Sequence, residues 1–427
     1  MRPALLLMIA SVLLAAPASP RADSVGDTQS APDGPLQAAF ERYLDAQRQA
    51  LDLYRASAFF NNDRAIADAY RGVLQFTIGS IKAGALLSHD HPRFARYVDW
   101  TSKAGLENPD NNYYQALLAD DGVYRITGNR GSHAQLIFQL VIGQPGVGSA
   151  GSSTNVAVLD NETLIADDEG NFEIIVSRER PDSAPNWIQS TVGAETLIVR
   201  ATFNDWLNEE PPKLVIERID QPLASAAVNS SEAMAHALDR TSQSLVDRTR
   251  SWLEIAENMW QRAVLNQLSA PRPTPGGLVG QYSAYGSWDL APDEALVIAF
   301  SPDNAPYVSL QLGSLWFTSL DYETRVTSLN QSQMACSATN VCTIVIAGQD
   351  PGVANWLDTA GFNQGLLFMR WQGLRGMPEE NNWPRAKKIT LSDLSQYSDD
   401  EVPRITPDAR REQIRGRMLG AQRRFGG

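Results

Sequence analysis

The sequence is poor in the residues that most often build metal sites and covalent catalytic sites. It has two cysteines and four histidines among 427 residues. A structural zinc site needs several such ligands close together, and the sequence has no Gly-x-Ser-x-Gly turn to display a serine nucleophile. We therefore predict no cofactor and no metal site beyond weak calcium binding. The acidic runs 167–169 and 399–401 are the candidates for calcium, although solvated turns explain them equally.

The two cysteines, Cys336 and Cys342, lie just before a β-type run. An even number of cysteines in an oxidising compartment favours a disulfide bond, here across a small hairpin loop. Closing so short a loop removes little chain entropy. We therefore expect the bond to hold local geometry more than to stabilise the whole fold.

Long apolar runs are also scarce, and the clearest one lies at the N-terminus. It extends from Ala4 to Ala16 behind Arg2, which is shorter than the roughly 20 residues that a spanning helix needs. Small residues offer cleavage after Ala18 or Ala22. We predict a signal peptide over residues 1–22 and a soluble periplasmic or secreted protein without a transmembrane segment. An uncleaved N-terminal anchor is the alternative.

The charge distribution excludes one class of partner and singles out one segment. A net charge of −13 and a pI near 4.9 argue against nucleic acid as a partner. The segment 396–427 is nevertheless rich in arginine, with Ile414, Met418 and Leu419 interleaved at helical spacing. It is predicted either to dock as a solvated helix on the acidic body or to make peripheral contact with an anionic surface. The oligomeric state is left open.

Hydrophobic periodicity divides the remaining chain into alternating helical and β-rich regions. Residues 23–110 show helical spacing, whereas 111–220 and 276–395 contain short β-type runs separated by turn residues. Residues 221–275 combine a helical pattern with a Pro/Gly linker. We predict a mostly β protein with helical additions: two tandem antiparallel β-sandwich or jelly-roll domains, each preceded by a helical segment.

A repeated phrase connects the two β-rich regions. Asn186-Trp187-Ile188 is followed by Arg200, and Asn355-Trp356-Leu357 is followed by Arg370. The recurrence predicts an internal duplication. Asp358 and Thr359 have no charged counterpart in the first copy, which has Gln189 and Ser190, so a function kept by one copy belongs to the second.

The repeated phrase has a packing interpretation and a binding interpretation. In the first, each Trp is buried, each Asn closes a turn, and each Arg satisfies carbonyl groups at a strand end. In the second, the guanidinium groups of Arg200 and Arg370 bind a carboxylate or sulfonate, with Trp187 and Trp356 as stacking walls. These four residues are therefore candidate ligand-binding residues.

A second candidate cluster precedes the first β-rich region. Asp110, Asn111, Tyr113 and Tyr114 combine a carboxylate, an amide and two aromatic rings, which suits a carbohydrate or polar aromatic ligand. A turn that caps a domain junction explains the cluster equally well. His133 is a lone candidate base, and the roles of His89 and His91 stay open.

Three functions are compatible with these observations. The first is binding of a small polar, acidic or sugar-like ligand. The second is a hydrolase or lyase acting on carbohydrate or a related molecule, with Asp110 and Asp358 as the carboxylate pair and Tyr113 or Arg370 assisting. The third is a non-catalytic module of the cell envelope that uses the basic tail.

Four stretches resemble a known family. They read Asn108-Pro109-Asp110-Asn111-Asn112-Tyr113-Tyr114, Tyr124-Arg125-Ile126-Thr127-Gly128-Asn129-Arg130-Gly131, Asp205-Trp206 before Glu210, and Asp350-Pro351-Gly352 with Asn355-Trp356-Leu357-Asp358-Thr359. From about Phe94 to Trp371 the chain resembles the bacterial domain-of-unknown-function family 1214. The resemblance implies jelly-roll domains with helical additions, often in exported proteins. It implies no reaction, so no catalytic residue is transferred.

Overall fold

The computed structural model describes residues 34–144, 146–147, 153–222, 230–274, 280–302 and 304–425. The predicted signal peptide, residues 1–22, and its cleavage after Ala18 or Ala22 lie outside the described residues. Within these ranges, strands dominate and form two repeated halves.

The first half is built from the β-type runs that turn residues separate in the sequence. Its strands are β1 (Ala95–Val98), β2 (Asn111–Leu117), β3 (Tyr124–Asn129), β4 (Gln135–Ile142), β5 (Thr154–Leu159), β6 (Asn171–Ser177), β7 (Asn186–Gln189), β8 (Ala194–Thr202) and β9 (Lys213–Arg218). They form two sheets with the orders β1-β2-β8-β4-β5 and β7-β6-β3-β9. Leu136, Phe138 and Leu140 alternate along β4 and bury one face of the first sheet in the core between the two sheets.

The second half repeats this arrangement, with one additional short strand. Its strands are β10 (Gln267–Leu268), β11 (Arg272–Pro273), β12 (Tyr282–Asp289), β13 (Glu294–Phe300), β14 (Tyr307–Gly313), β15 (Ser328–Asn330), β16 (Cys342–Ala347), β17 (Trp356–Asp358), β18 (Gln364–Gln372) and β19 (Arg385–Thr390). The sheet orders are β10-β12-β18-β14-β15, with β11 paired to β12, and β17-β16-β13-β19. Its core contains Trp288, Ile298, Leu310 and Trp371.

Each half contains one parallel pair of strands at the same place in its sheet. In the first half β6 and β7 are parallel, and in the second β16 and β17 are parallel, while the other neighbouring strands run antiparallel. The predicted fold class, a mostly β protein with two tandem sandwich-like halves and helical additions, is confirmed.

The described part of the chain contains four α-helices beside the sheets. They are α1 (Gly34–Ala56), α2 (Asp63–Ile81), α3 (Ser231–Arg262) and α4 (Pro407–Phe425), with a π-helical turn at Lys82–Leu86 and 3₁₀ turns at Glu380–Asn382 and Leu391–Gln396. Asn62 and Ser230 cap α2 and α3 by accepting hydrogen bonds from backbone N–H groups. None of the described helices combines the length and the apolarity that a membrane crossing requires.

Helices α1, α2 and α3 pack together against the second half. Their apolar stripes form one core with that half, in which the Tyr54 ring meets the Trp316 ring edge-on at 5.0 Å. The indole Nε1 of Trp316 also donates a hydrogen bond to the carbonyl oxygen of Ala65 on α2, at 2.9 Å. Both helical segments, although far apart in sequence, therefore cover the same sandwich.

The basic tail forms α4, which buries arginines. Arg410, Arg417 and Arg424 recur every seventh residue and are 5%, 5% and 0% exposed, whereas Met418 and Leu419 are 38% and 48% exposed. A seven-residue spacing places side chains on one helical face. The tail therefore docks on the body through its cations rather than through these two apolar side chains.

The cysteine prediction is confirmed. Cys336 and Cys342 form a disulfide bond at the start of β16, where it closes the short loop that precedes this strand.

Candidate functional site

Asp110 is the hydrogen-bonding centre of the junction between the two halves. Its fully buried carboxylate accepts hydrogen bonds from Trp206 Nε1 at 2.7 Å, the Tyr307 hydroxyl at 2.5 Å and Asn330 Nδ2 at 2.9 Å. Trp206 lies in the loop between β8 and β9 of the first half, and the other two donors belong to the second half. Burial and the Asp110 charge raise the pKa of Tyr307 well above its usual value. Asp110 therefore joins the halves as a buried anion.

The neighbours of Asp110 in sequence are also turned inward. The backbone N–H of Asn108 donates to the Tyr113 hydroxyl at 2.9 Å, and Asn111 is 3% exposed with its amide 3.4 Å from that hydroxyl. Burial raises the pKa of Tyr113, although the nearby cations Arg370 and Arg200 oppose the shift. Tyr113 is partly exposed on β2, and the guanidinium of Arg200 lies 5.9 Å from the centre of its ring.

The repeated arginines occupy matching places in the two halves. Nη1 of Arg200 on β8 donates to Gln139 on β4, and Nη1 of Arg370 on β18 donates to Gln311 on β14. Arg370 also donates from Nη2 to the carbonyl oxygen of Leu106 at 2.6 Å and is 4% exposed. Burial lowers its pKa. These contacts match the packing interpretation, in which arginines satisfy buried oxygens.

The repeated asparagines hold loops onto strands by the same three hydrogen bonds. The side chain of Asn186 accepts from the Ile165 N–H and donates to the carbonyl oxygens of Ile165 and Glu173. Asn355 makes the equivalent bonds with Ala335 and Thr343. An amide that satisfies three backbone groups is a structural element, so the Asn in each phrase is explained by packing.

The tryptophans of the phrase are separated from the arginines. Trp187 on β7 and Trp356 on β17 donate from Nε1 to Ser177 Oγ and to the Ala347 carbonyl oxygen, each at 3.0 Å. In each half the tryptophan strand, β7 or β17, belongs to one sheet and the arginine strand, β8 or β18, belongs to the other. The proposed stacking wall beside an arginine fork is therefore not formed within either copy.

Asp110 and Asp358 bind different partners. Asp358 ends β17 and binds Nη1 of Arg325 at 2.6 Å, while Asp110 precedes β2 and has different partners. An acid–base pair must face one cleft that admits substrate. The geometry therefore gives no support to a mechanism that uses these two carboxylates as the pair.

An open cleft lies instead between α2 and the second half. It has a volume of about 460 Å³, within the range of small-molecule sites. Its lining residues are Arg64, Ala67, Asp68, Arg71, Gln75, Trp100, Lys103, Thr318, Ser319, Leu320, Asp321, Glu323, Arg325, Ala360 and Phe362. A hollow of about 530 Å³ adjoins it and shares Arg64, Asp68 and Phe362. We refer to the 460 Å³ space as the α2 cleft.

Two walls of different origin enclose the α2 cleft. One is a helical stripe on α2 made of Arg64, Asp68, Arg71 and Gln75, and the other is the loop 318–325 of the second half. Nη1 of Arg64 donates to the Ala360 carbonyl oxygen at 2.6 Å and holds the helix to the cleft floor. The wall on α2 is thus positioned by the packing of the helix on the sandwich.

Several titratable groups in the α2 cleft have shifted pKa values. Burial raises the pKa of Asp68, opposed by the Arg71 charge and a hydrogen bond from Ser314. Burial also raises the pKa of Glu323, opposed by the Lys103 charge. Such shifts within a cleft are typical of functional sites, although structural networks also produce them.

Lys103 hydrogen-bonds to the loop 318–325 that forms one wall of the α2 cleft. Its Nζ donates to the carbonyl oxygens of Ser319 and Leu320 at 3.2 and 2.7 Å and lies 4.4 Å from the centre of the Tyr322 ring. Burial lowers its pKa, opposed chiefly by Glu107. Lys103 therefore fixes the loop wall, whereas Arg71 and Arg325, with side chains 68% and 49% exposed, are accessible to a ligand.

A third cavity, of about 710 Å³, involves a residue predicted from the sequence. Tyr114 lines it together with Phe94 and Arg96, whose guanidinium lies 5.4 Å from the centre of the Tyr114 ring. Among the described residues of the three cavities, Tyr114 is the one member of the predicted site set. Sequence reasoning missed the α2 cleft, and its one local signal was the polar stripe on α2.

Two of the histidines, His89 and His133, contact neighbouring residues through their rings. Nδ1 of His89 lies 3.0 Å from Asp90, which also pairs with Arg218 at 2.9 Å. His133 is 3% exposed, and burial lowers its pKa to about 4. A buried imidazole is a poor candidate for a base that must reach substrate.

The acidic runs close their own turns. Asp167 accepts hydrogen bonds from the N–H groups of Glu169 and Asn171, and Glu401 accepts from Ser398. Within the described residues, no group of three or more His, Cys, Asp or Glu side chains is arranged to hold a metal ion. Weak calcium binding at these runs stays a prediction.

Comparison with solved structures shows a similar fold in an uncharacterised protein from Burkholderia cenocepacia. The two share 27% identity with a TM-score of 0.76, over 85% of this chain and all of the other. A protein from Vibrio parahaemolyticus matches 83% of this chain and all of its own at 11% identity, but its TM-score of 0.40 supports no argument. No protein-family model and no curated protein matches the chain.

Proposed function

We propose that the protein binds a small polar ligand in the α2 cleft. The observation that carries the proposal is an open cavity in which accessible cations, carboxyl groups and the 55% exposed ring of Trp100 line one space. Binding sites commonly combine an apolar or aromatic surface with a few polar groups that orient the ligand. The other predicted site residues mostly serve the junction of the two halves, so this cleft is the better candidate.

The second copy of the repeat supports the same location. Asp358 is 6% exposed and binds Arg325, a lining residue of the α2 cleft, whereas its counterpart Gln189 is exposed. The carboxylate that distinguishes the two copies therefore orients a cleft side chain. This agrees with a function kept by the second copy alone.

Ligand screening by thermal shift tests the proposal. A ligand present at 100 times its Kd raises the free energy of unfolding by about 2.7 kcal/mol, which gives a measurable rise in Tm. The screen uses neutral sugars, sugar acids, organic acids and amino acids. The shift is expected to be lost in Trp100→Ala and kept in Phe40→Ala, which removes a ring 48% exposed on α1 outside the cleft. A shift insensitive to Trp100 would refute this location.

A hydrolase or lyase is the second candidate, and Asp68 favours it. A carboxyl whose pKa is raised by burial can act as a proton donor when it lines a cleft. Asp68→Asn should then abolish turnover of any ligand found in the screen while preserving its binding. If the ligand is chemically unchanged after prolonged incubation with the wild-type protein, the enzyme candidate is refuted and only the binding function remains.

We further propose that the chain is exported and arose by duplication. The disulfide bond suits an oxidising compartment. The matching strand orders, together with matching Asn, Trp and Arg contacts, are what a duplicated unit would leave. The envelope-module alternative has less support, since the exposed Arg411, Arg415 and Arg423 pair with Asp408, Glu412 and Glu210.

A further inference from the structure

The charged groups of the α2 cleft differ in how far the protein satisfies them. The carboxylate of Asp321 accepts from the N–H groups of Glu323 and Thr324 and from the Thr324 hydroxyl. Arg325 is held by Asp358 at 2.6 Å. The protein itself supplies hydrogen-bond or ion-pair partners for both Asp321 and Arg325.

Two other groups have fewer protein partners. Arg71 makes a long contact of 3.5 Å with Asp68, and its side chain is 68% exposed. Among the described residues, the side chain of Glu323 makes no hydrogen bond or ion pair, while it is partly removed from water. Leaving a carboxylate partly desolvated without a partner is unfavourable unless a ligand supplies one.

The opposite signs of these two groups define the chemistry of the ligand. Arg71 presents a planar set of donors that suits a carboxylate, and Glu323 presents acceptors that suit an ammonium group. The exposed face of Trp100 lines the same space and suits an apolar or aromatic body. A volume of about 460 Å³ fits a molecule of amino-acid or dipeptide size.

We infer that the α2 cleft binds a zwitterion of the amino-acid class, with its carboxylate at Arg71 and its ammonium group at Glu323. The inference rests on the proposed binding function and specifies its ligand. A neutral sugar would supply no opposite charge to either side chain, and a purely anionic ligand would place a negative charge beside Glu323.

Titration calorimetry with blocked analogues tests the inference. The probes are phenylalanine, phenylalaninamide, which lacks the carboxylate, and N-acetylphenylalanine, which lacks the cation. Loss of one charge-assisted hydrogen bond should weaken binding by about 10-fold or more. Arg71→Gln should abolish the preference for phenylalanine over its amide, and Glu323→Gln should abolish the preference over the N-acetyl compound.

Controls separate this inference from the proposed function. Arg48→Gln and Glu41→Gln remove charges from α1 outside the cleft and should leave every affinity unchanged. Glucose and glucuronate are titrated in parallel. If either sugar binds in a Trp100-dependent manner while phenylalanine does not, or if the N-acetyl compound binds as tightly as phenylalanine, the zwitterion inference is wrong and the binding function stands. If no probe binds, the zwitterion inference is wrong, and the binding function is refuted only if the thermal-shift screen also yields no Trp100-dependent ligand.

Discussion

The hydroxyl of Tyr307 donates a 2.5 Å hydrogen bond to the carboxylate of Asp110 across the junction of the two halves. Both side chains are fully buried, so water cannot replace either partner. Arg417 and Arg424 of α4 contribute positive charge around the same carboxylate. One buried anion thus connects the first half, the second half and the C-terminal helix.

Replacing Asp110 should destabilise the whole chain. Asp110→Ala removes the acceptor of three hydrogen bonds and leaves buried cations without their counter-charge, so we expect a loss of about 3–5 kcal/mol in the free energy of unfolding. Urea unfolding followed by fluorescence measures it. A double-mutant cycle with Tyr307→Phe should give a coupling of about 0.5–3 kcal/mol. Additive losses would mean that the two side chains act independently.

The arginines of α4 should contribute to stability according to burial rather than charge. Arg417→Ala removes donors to the Tyr322 and Ser328 carbonyl oxygens and a cation 4.6 Å from the centre of the Trp206 ring, so we expect a loss of about 3 kcal/mol. Arg415→Ala is the matched control, since its side chain is 69% exposed, and should change stability by less than about 1 kcal/mol. Equal losses in thermal unfolding would contradict the docked position of α4.

The repeated asparagines should be equivalent in energy. Asn186→Ala and Asn355→Ala each leave buried backbone groups without partners, so each should lower the free energy of unfolding by about 1–3 kcal/mol. Asn258→Ala, at an exposed site on α3, should be nearly neutral. Chemical denaturation compares the three variants, and a large effect in one half alone would argue against equivalent roles.

The free energy of unfolding should decrease as the pH is lowered, because the pKa of His133 is lower in the folded chain than in the unfolded chain. Burial lowers its pKa in the folded chain to about 4, while an unfolded histidine titrates near 6.5. Because the unfolded chain then binds the proton more readily, this contribution is complete above pH 6.5 and is lost as the pH falls towards 4, by about 3 kcal/mol in all. His133→Asn should remove it, so the difference between variant and wild-type unfolding free energies should depend on pH in this window. A constant difference would show that His133 does not titrate as described.

The failure to identify the α2 cleft from sequence has a physical cause. Arg64, Asp68 and Arg71 have the spacing of an ordinary solvated helix face, and nothing local distinguishes them. Their opposite wall, 318–325, is some 250 residues away in the chain. The cavity forms where α2 packs on the second half beside Trp100 and Lys103, which lie between β1 and β2.

Asp110 is a case in which the sequence singled out a residue but did not show its role. Its cluster of amides and tyrosines predicted either a ligand site or a junction turn, and spacing alone could not decide between them. The structure decides because Tyr307 and Asn330, distant in sequence, satisfy the carboxylate. Burial of a polar group is a property of its neighbours in space.

The strand-rich class and the repetition of the halves can be read from the chain alone, because alternation and turn residues act over a few positions. The same holds for the disulfide, whose cysteines lie six residues apart. Which polar groups are internal depends on the packing of distant segments. Arg370 and Arg417 are buried, whereas Arg71 and Glu323 line a cleft. Each of these positions depends on contacts with segments far away in the chain, which local spacing does not specify.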